Sequence, residues 1–418
     1  MRCEPTFNAL EAADSFKESN RAHPTSLEEP DDDVPPPPPP PESPPPSPPS
    51  NMPPPSPPPS PSQSHSGGVT QFVKASGLLP EGSTPPESAI AAFEHSRPFT
   101  VMVTTIQVLV ILILLALQFF YHSTYEGPTG GKSNAKDATL ALQLYNYYTA
   151  VAMMLFVGFG YLMTFLRWYG LGAIGLTMMI TCIGIETSII GQAVVAALTG
   201  GGASFEVDMM VILQANFAVA AFLISFGALI GKVNPAQLVI MVVCESVFYT
   251  MNKFMLEEFI EISDVGGTVV IHMFGAYFGL VIALMLGAPK INLKEKASYV
   301  SDIFSLLGTV ILWVYWPSFV AGATPAGTPD AELQLVQTIL ALSAASVTTF
   351  ALSPFLSEDG KLRPVDIQNA TLAGGVTIGT LASTPLTAAG AMIVGAVAGA
   401  VSTLGFSQVC AHPHLSPP

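Results

Sequence analysis

Polar and apolar positions divide this chain into two regimes. Residues 1–97 are polar and proline-laden: Asp31-Asp32-Asp33 and Val34 lead into an unbroken run from Pro35 to Pro41, and Ser-Pro-Pro repeats continue to Pro61. Such a segment cannot bury enough apolar surface to offset its ordering entropy, so it reads as a disordered tail with polyproline II stretches. From Phe99 onward, apolar runs of about 20 residues recur between short polar links, and about 20 apolar residues of helix cross a hydrocarbon core. The pattern predicts ten spans, over about 99–121, 145–167, 171–198, 208–231, 236–255, 265–288, 302–321, 333–354, 366–385 and 387–407. The expected fold class is therefore an all-α polytopic membrane protein. Residues 98–408 form the membrane domain, and 409–418 a short polar tail. The first apolar run starts too late for a cleaved secretory peptide and acts as a signal anchor.

Charge sets the orientation. The links after the second, fourth, sixth and eighth spans carry Arg167, Lys232, Lys290 with Lys294 and Lys296, and Lys361 with Arg363. The opposite links carry only Lys132, Lys136 and Lys253, and one of them is acidic (Glu257, Glu258, Glu261, Asp264). The positive-inside bias then places both termini in the cytoplasm. The net charge of −15 says little about partners, because much of the acid lies in the tail. The four cysteines (Cys3, Cys182, Cys244, Cys410) are too scattered for a disulfide or metal framework. No enzymatic activity, cofactor, metal or nucleic-acid partner is expected.

Few residues in the spans can carry chemistry. His272 is the single histidine of the apolar region, in Ile271-His272-Met273-Phe274-Gly275-Ala276-Tyr277-Phe278-Gly279-Leu280. An ionisable ring inside an apolar helix is costly in lipid and tends to face a bundle interior or a pathway. The bland alternative is a neutral histidine satisfied by a neighbouring carbonyl. Asp264 stands eight residues earlier, about 12 Å of helix away, so the two side chains do not meet directly. It suits a helix start, where a carboxylate accepts backbone N–H bonds, and a purely structural cap explains it equally well. Phe217 and Phe319, near span ends, read on their own as belt or packing residues. Glu186 and Glu245 read as interhelical hydrogen-bonding groups, and the glycines of the ninth and tenth spans as close-packing positions.

Four longer segments carry a resemblance. Phe156-Val157-Gly158-Phe159-Gly160-Tyr161-Leu162-Met163-Thr164-Phe165-Leu166, the His272 run, Trp316-Pro317-Ser318-Phe319, and Ile367-Gln368-Asn369-Ala370-Thr371-Leu372-Ala373-Gly374-Gly375-Val376 resemble the Rh glycoproteins, a branch of the ammonium transporter superfamily. The resemblance covers about residues 99–408 and implies an ammonium transporter-like fold of two inverted five-helix halves, preceded by one extra helix. It also implies a homotrimer in the lipid bilayer with one narrow apolar pore per subunit, and the plasma membrane as location. Asp264 matches the family aspartate that structures the conduction site, and His272 the first of two pore histidines. Phe217 and Phe319 match the phenylalanine pair over the pore entrance, which reverses their bland reading. The implied cargo is NH3/NH4+, with CO2 as a second gas that an apolar pore would pass.

The chain also departs from that pattern. The family's second pore histidine lies on a helix after the segment ending Ser402-Thr403-Leu404-Gly405-Phe406. Here the sequence runs Ser407-Gln408-Val409-Cys410-Ala411-His412-Pro413-His414 into a polar tail. The expectation is a membrane domain lacking its last two helices, with His412 and His414 as tail residues. Val320 stands where the family commonly has asparagine, and Lys253 lies near the outer mouth, where an acidic residue would recruit a cation. Two functions compete: an ammonia-conducting channel, or a non-conducting membrane anchor whose proline-rich tail recruits SH3, WW or EVH1-type domains.

Overall fold

Four of the long helices start at side-chain caps. A computed structural model describes residues 97–121, 135–167, 169–199, 205, 207–287, 297–325, 327–357 and 359–411. The proline-rich tail, Lys132, Lys290, Lys294, Lys296, His412 and His414 lie outside the described residues. The helices are α1 (Arg97–Tyr121), α2 (Ala135–Ala152), α3 (Gly170–Leu198), α4 (Met209–Leu229), α5 (Pro235–Phe254), α6 (Phe274–Met285), α7 (Tyr299–Ala321), α8 (Pro329–Leu356), α9 (Pro364–Ala370), α10 (Ala373–Leu381) and α11 (Ala388–Ala411). Asp208 accepts from the Val211 N–H at 2.8 Å to open α4, and Asn234 and Gln237 form a reciprocal capping box with Pro235 as the first residue of α5. Ser298 with Ser301 opens α7 in the same way, and Thr328 before Pro329 opens α8.

Among the described residues, nine helical stretches are long and apolar enough to cross a membrane. They match nine of the ten expected spans within a few residues. Apolar side chains cover the outside of the bundle, and its interior holds several polar ones beside a hydrophobic core. Ile240, Phe248, Tyr277, Leu280, Val347 and Val397 are exposed, while Asn216, Ser225, Glu245, His272, Gln334 and Asp366 are buried. Apolar outer faces with sheltered polar groups fit a lipid surround, which wets apolar faces and penalises unpaired polar ones. The two glutamates do bridge helices: Gln107 of α1 donates to Glu186 of α3 at 3.1 Å, and Ser225 of α4 lies 2.5 Å from Glu245 of α5.

The remaining expected span, the ninth over 366–385, is a correction. It is not one helix but two, α9 and α10, broken at Thr371-Leu372. The side chains of Asn369 and Thr371 bond back to the carbonyls of Val365 (2.8 Å) and Ile367 (2.6 Å), a competition with the backbone that bends helices. Close packing then fixes the second piece. A Cβ on Gly374 would lie 2.4 Å from the Ala341 carbonyl oxygen of α8. α8 itself packs on α11 through Gly395 and Gly399, where a Cβ would lie 2.0 Å and 2.6 Å from the Ala341 and Ala345 oxygens. At the far end of α8, buried Asp366 takes a forked pair of bonds from Arg363 and one from Ser353, tying α8 to α9.

Candidate functional site

The turn before α6 builds the site. Gly267 adopts a φ of +69°, a backbone conformation that glycine reaches without Cβ strain. Its N–H donates to the Asp264 carbonyl at 3.0 Å, closing the turn. The chain then winds through a wide π-helical segment, Thr268–Met273, before α6 begins. Asp264 caps that segment: its Oδ2 accepts from the Val269 and Val270 N–H groups, both at 2.8 Å. Its Oδ1 accepts from the Thr380 hydroxyl at the end of α10.

A second set of bonds laces the turn to α10. Gly266 N–H donates to the Gly379 carbonyl at 3.0 Å, and a Cβ on Gly266 would lie 2.4 Å from the Gly379 Cα. The Thr268 hydroxyl donates to the Val376 carbonyl (2.6 Å) and accepts from the Thr380 N–H (2.9 Å). The broken helix and the capped turn therefore hold each other in register.

His272 hangs from the same glycine. The Gly267 carbonyl accepts from the backbone N–H groups of Ile271 and His272, at 3.0 and 2.9 Å, and lies 2.9 Å from Nδ1 of the His272 ring. A carbonyl cannot donate, so Nδ1 carries the hydrogen, and in the neutral ring Nε2 then presents its lone pair. The ring is buried among aromatic faces. Trp316 stacks on it at 5.5 Å and 23°, and Phe319 meets it edge-on at 5.8 Å and 72°. Phe217 of α4 packs against Phe319 of α7 at 5.0 Å and 75°. Gly322 leaves room for Phe217, and Gly375 of α10 for Trp316, whose Nε1 would lie 2.5 Å from a Cβ there.

All four residues singled out from sequence thus fall in one constellation. Asp264 and His272 are joined through Gly267 rather than side chain to side chain, and Phe319 touches both His272 and Phe217. Three contributors were not singled out from the sequence: Trp316, Gly267 and Thr380. Trp316 carries a readable signal, three residues before Phe319 and hence on the same helix face. Thr380, more than a hundred residues from Asp264, carries none. Lys253, placed near the outer mouth by the sequence, is ion-paired with Glu257 one turn on.

Chemically, the arrangement sets one imidazole ring, anchored through Nδ1, among aromatic surfaces. It can exchange a hydrogen bond or proton with a small donor, while the apolar surround makes an unaccompanied cation costly. A helical bundle with apolar outer faces and, among the described residues, nine helical stretches of membrane-crossing length defines a multi-pass integral membrane protein.

The chain belongs to the ammonium transporter family, whose model, described as the Ammonium Transporter Family, matches residues 109–415. Its relatives are of the Rh type. It is 42% identical over 265 residues to ammonium transporter Rh type B of Sus scrofa, covering 63% of this chain and 57% of that protein. Against ammonium transporter Rh type A of Canis lupus familiaris it is 39% identical over 277 residues, covering 66% of each. The chain thus spans roughly three fifths of the curated relatives it matches. Nitrosomonas europaea Rh50, solved in a study of conduction by the Rhesus family of channels, superposes with a TM-score of 0.58 at 31% identity, over 65% of this chain and 72% of that one. Saccharomyces cerevisiae Mep2 shares the fold, with a TM-score of 0.53 at 20% identity over 68% and 71%.

Proposed function

We propose that this chain conducts ammonia, arriving as ammonium, through an apolar pathway past Phe217, Phe319, Trp316 and His272. The observation that carries the reading is the His272 ring, fixed by Gly267 with its Nε2 lone pair facing aromatic surroundings. Moving an intact ammonium ion through such a path costs far more than moving the neutral molecule, so the proton leaves before the apolar stretch. Aromatic faces at Phe217 and Phe319 favour a cation briefly while excluding its hydration shell. Asp264 acts on the pathway through the turn it caps. CO2, as another small neutral gas, is a second cargo on the same grounds. A homotrimer in the plasma membrane with cytoplasmic termini is the assembly and placement that the family and the basic links favour.

The test is methylammonium uptake in cells lacking their own ammonium transporters. The chain should confer uptake, and His272→Ala should lower it by about tenfold, the barrier equivalent of one lost hydrogen bond of about 1.4 kcal/mol. No uptake by the correctly inserted chain refutes conduction by this polypeptide. Deleting residues 1–95 separates the tail from the pore: uptake that survives while an SH3, WW or EVH1-type partner is lost makes the tail a docking arm.

A further inference from the structure

Three helices meet at Glu245, and the hydrogens there do not balance if its carboxyl is ionised. α4 and α6 cross so closely that a Cβ on Gly275 would lie 2.6 Å from the Ala221 oxygen, and one on Gly279 2.8 Å from the Ser225 Cα. Ser225 fills that crossing. Its Oγ lies 2.9 Å from the Gly275 carbonyl oxygen of α6 and 2.5 Å from Glu245 Oε1 of α5. Both side chains are fully buried.

A serine hydroxyl has one hydrogen. With an ionised Glu245, both neighbours of Ser225 Oγ are pure acceptors, and one of two short O···O contacts holds no hydrogen. The described ion pairs, Lys253–Glu257, Lys361–Asp359 and Arg363–Asp366, leave Glu245 out. Its other oxygen, Oε2, has no hydrogen-bond partner. A buried anion without a counter-charge is among the costliest arrangements in a membrane.

We propose that Glu245 is a neutral carboxylic acid that donates its hydrogen to Ser225, which donates in turn to the Gly275 carbonyl. Every hydrogen then has one acceptor, and Oε2 is left as a carbonyl that accepts nothing. Gly275 lies one turn beyond His272, so Glu245 is a positioning residue for the helix that follows the pore histidine. It does so across two helix interfaces at once, α5 to α4 and α4 to α6.

Infrared spectroscopy of the full 418-residue chain in lipid nanodiscs tests the assignment directly. The expected signature is a carboxylic acid C=O stretch at the high-frequency end of its range, as for a carbonyl without a donor. It should vanish in Glu245→Gln and persist in Glu186→Gln. Glu245→Gln keeps an N–H donor toward Ser225, so uptake should stay within about twofold of the parent chain. Glu245→Leu removes the donor and should lower both uptake and thermal stability. A spectrum with no such band, or a band that survives Glu245→Gln, overturns the proposal. Equal loss of uptake in the Gln and Leu variants overturns the positioning role. The uptake arm rests on the conduction reading; the infrared arm does not.

Discussion

Replacing Asp264 separates the two roles that the sequence leaves open for it, cap and charged pathway group. The carboxylate accepts two backbone N–H bonds from Val269 and Val270 and one hydroxyl bond from Thr380. Asp264→Ala leaves all three donors without it. Loss of a side-chain cap costs about 1–2 kcal/mol, and loss of the tie to α10 about 1 kcal/mol more. The half-buried site lets water recover part of this, so the expected net loss is about 1.5–2.5 kcal/mol. Asp264→Asn keeps an acceptor oxygen for the two N–H groups, and its amide can donate to the Thr380 hydroxyl, so about 1 kcal/mol or less should be lost. Equilibrium unfolding of the purified protein in mixed micelles measures both differences. Uptake should follow the same order, because the turn that Asp264 caps also presents the Gly267 carbonyl to His272. If the Asn variant is as unstable as the Ala variant, the capping account is wrong. If Asn is stable but transports as poorly as Ala, the negative charge itself acts on the pathway.

Glycine substitutions test the packing that holds the site. Gly375→Ala puts a methyl 2.5 Å from Trp316 Nε1, so the indole must shift off His272. The expected cost is about 1–3 kcal/mol of overpacking, visible in tryptophan fluorescence and reduced uptake. Gly395→Ala meets backbone rather than side chain, 2.0 Å from the Ala341 oxygen, and should destabilise the α8–α11 contact by about 3 kcal/mol in the same unfolding assay. Gly405→Ala is the matched control: nothing lies within 4 Å of its Cβ, and the helix should gain up to about 1 kcal/mol.

The span pattern was legible because lipid demands long apolar helices with internally satisfied backbone, and such runs recur between polar links from 99 to 407. The break between α9 and α10 was not legible. Residues 366–385 form a run in which apolar length conceals the local bonds of Asn369 and Thr371. The same limit applies at the site. His272 and Asp264 stand out singly, since each is an ionisable residue in or beside an apolar run. Their connection runs through a glycine carbonyl and a threonine hydroxyl, groups with no distinctive spacing. Trp316 could have been found from its place on the Phe319 face; Thr380 could not, because its contact spans the fold.

Irregular backbone also occurs elsewhere, in the π-helical segments Met153–Phe159 and Met255–Phe259, but three irregular elements meet at His272, and that meeting links the fold to its use. The ring sits on a π-helical turn after a left-handed glycine, and such wide turns occur preferentially at functional sites. The helix carrying Trp316 and Phe319 has Pro317 between them, which removes one backbone N–H from the ladder. The helix bonded to Asp264 and packed on Trp316 is the broken one, α9 with α10. In lipid, each departure leaves backbone groups to be satisfied locally, which an apolar span avoids unless something offsets the cost. Asp264 and Thr268 supply such bonds at the turn and α10, and Asn369 and Thr371 at the break. The three irregular elements contact one another, so the deviations form a single unit whose product is the placement of one imidazole among aromatic rings.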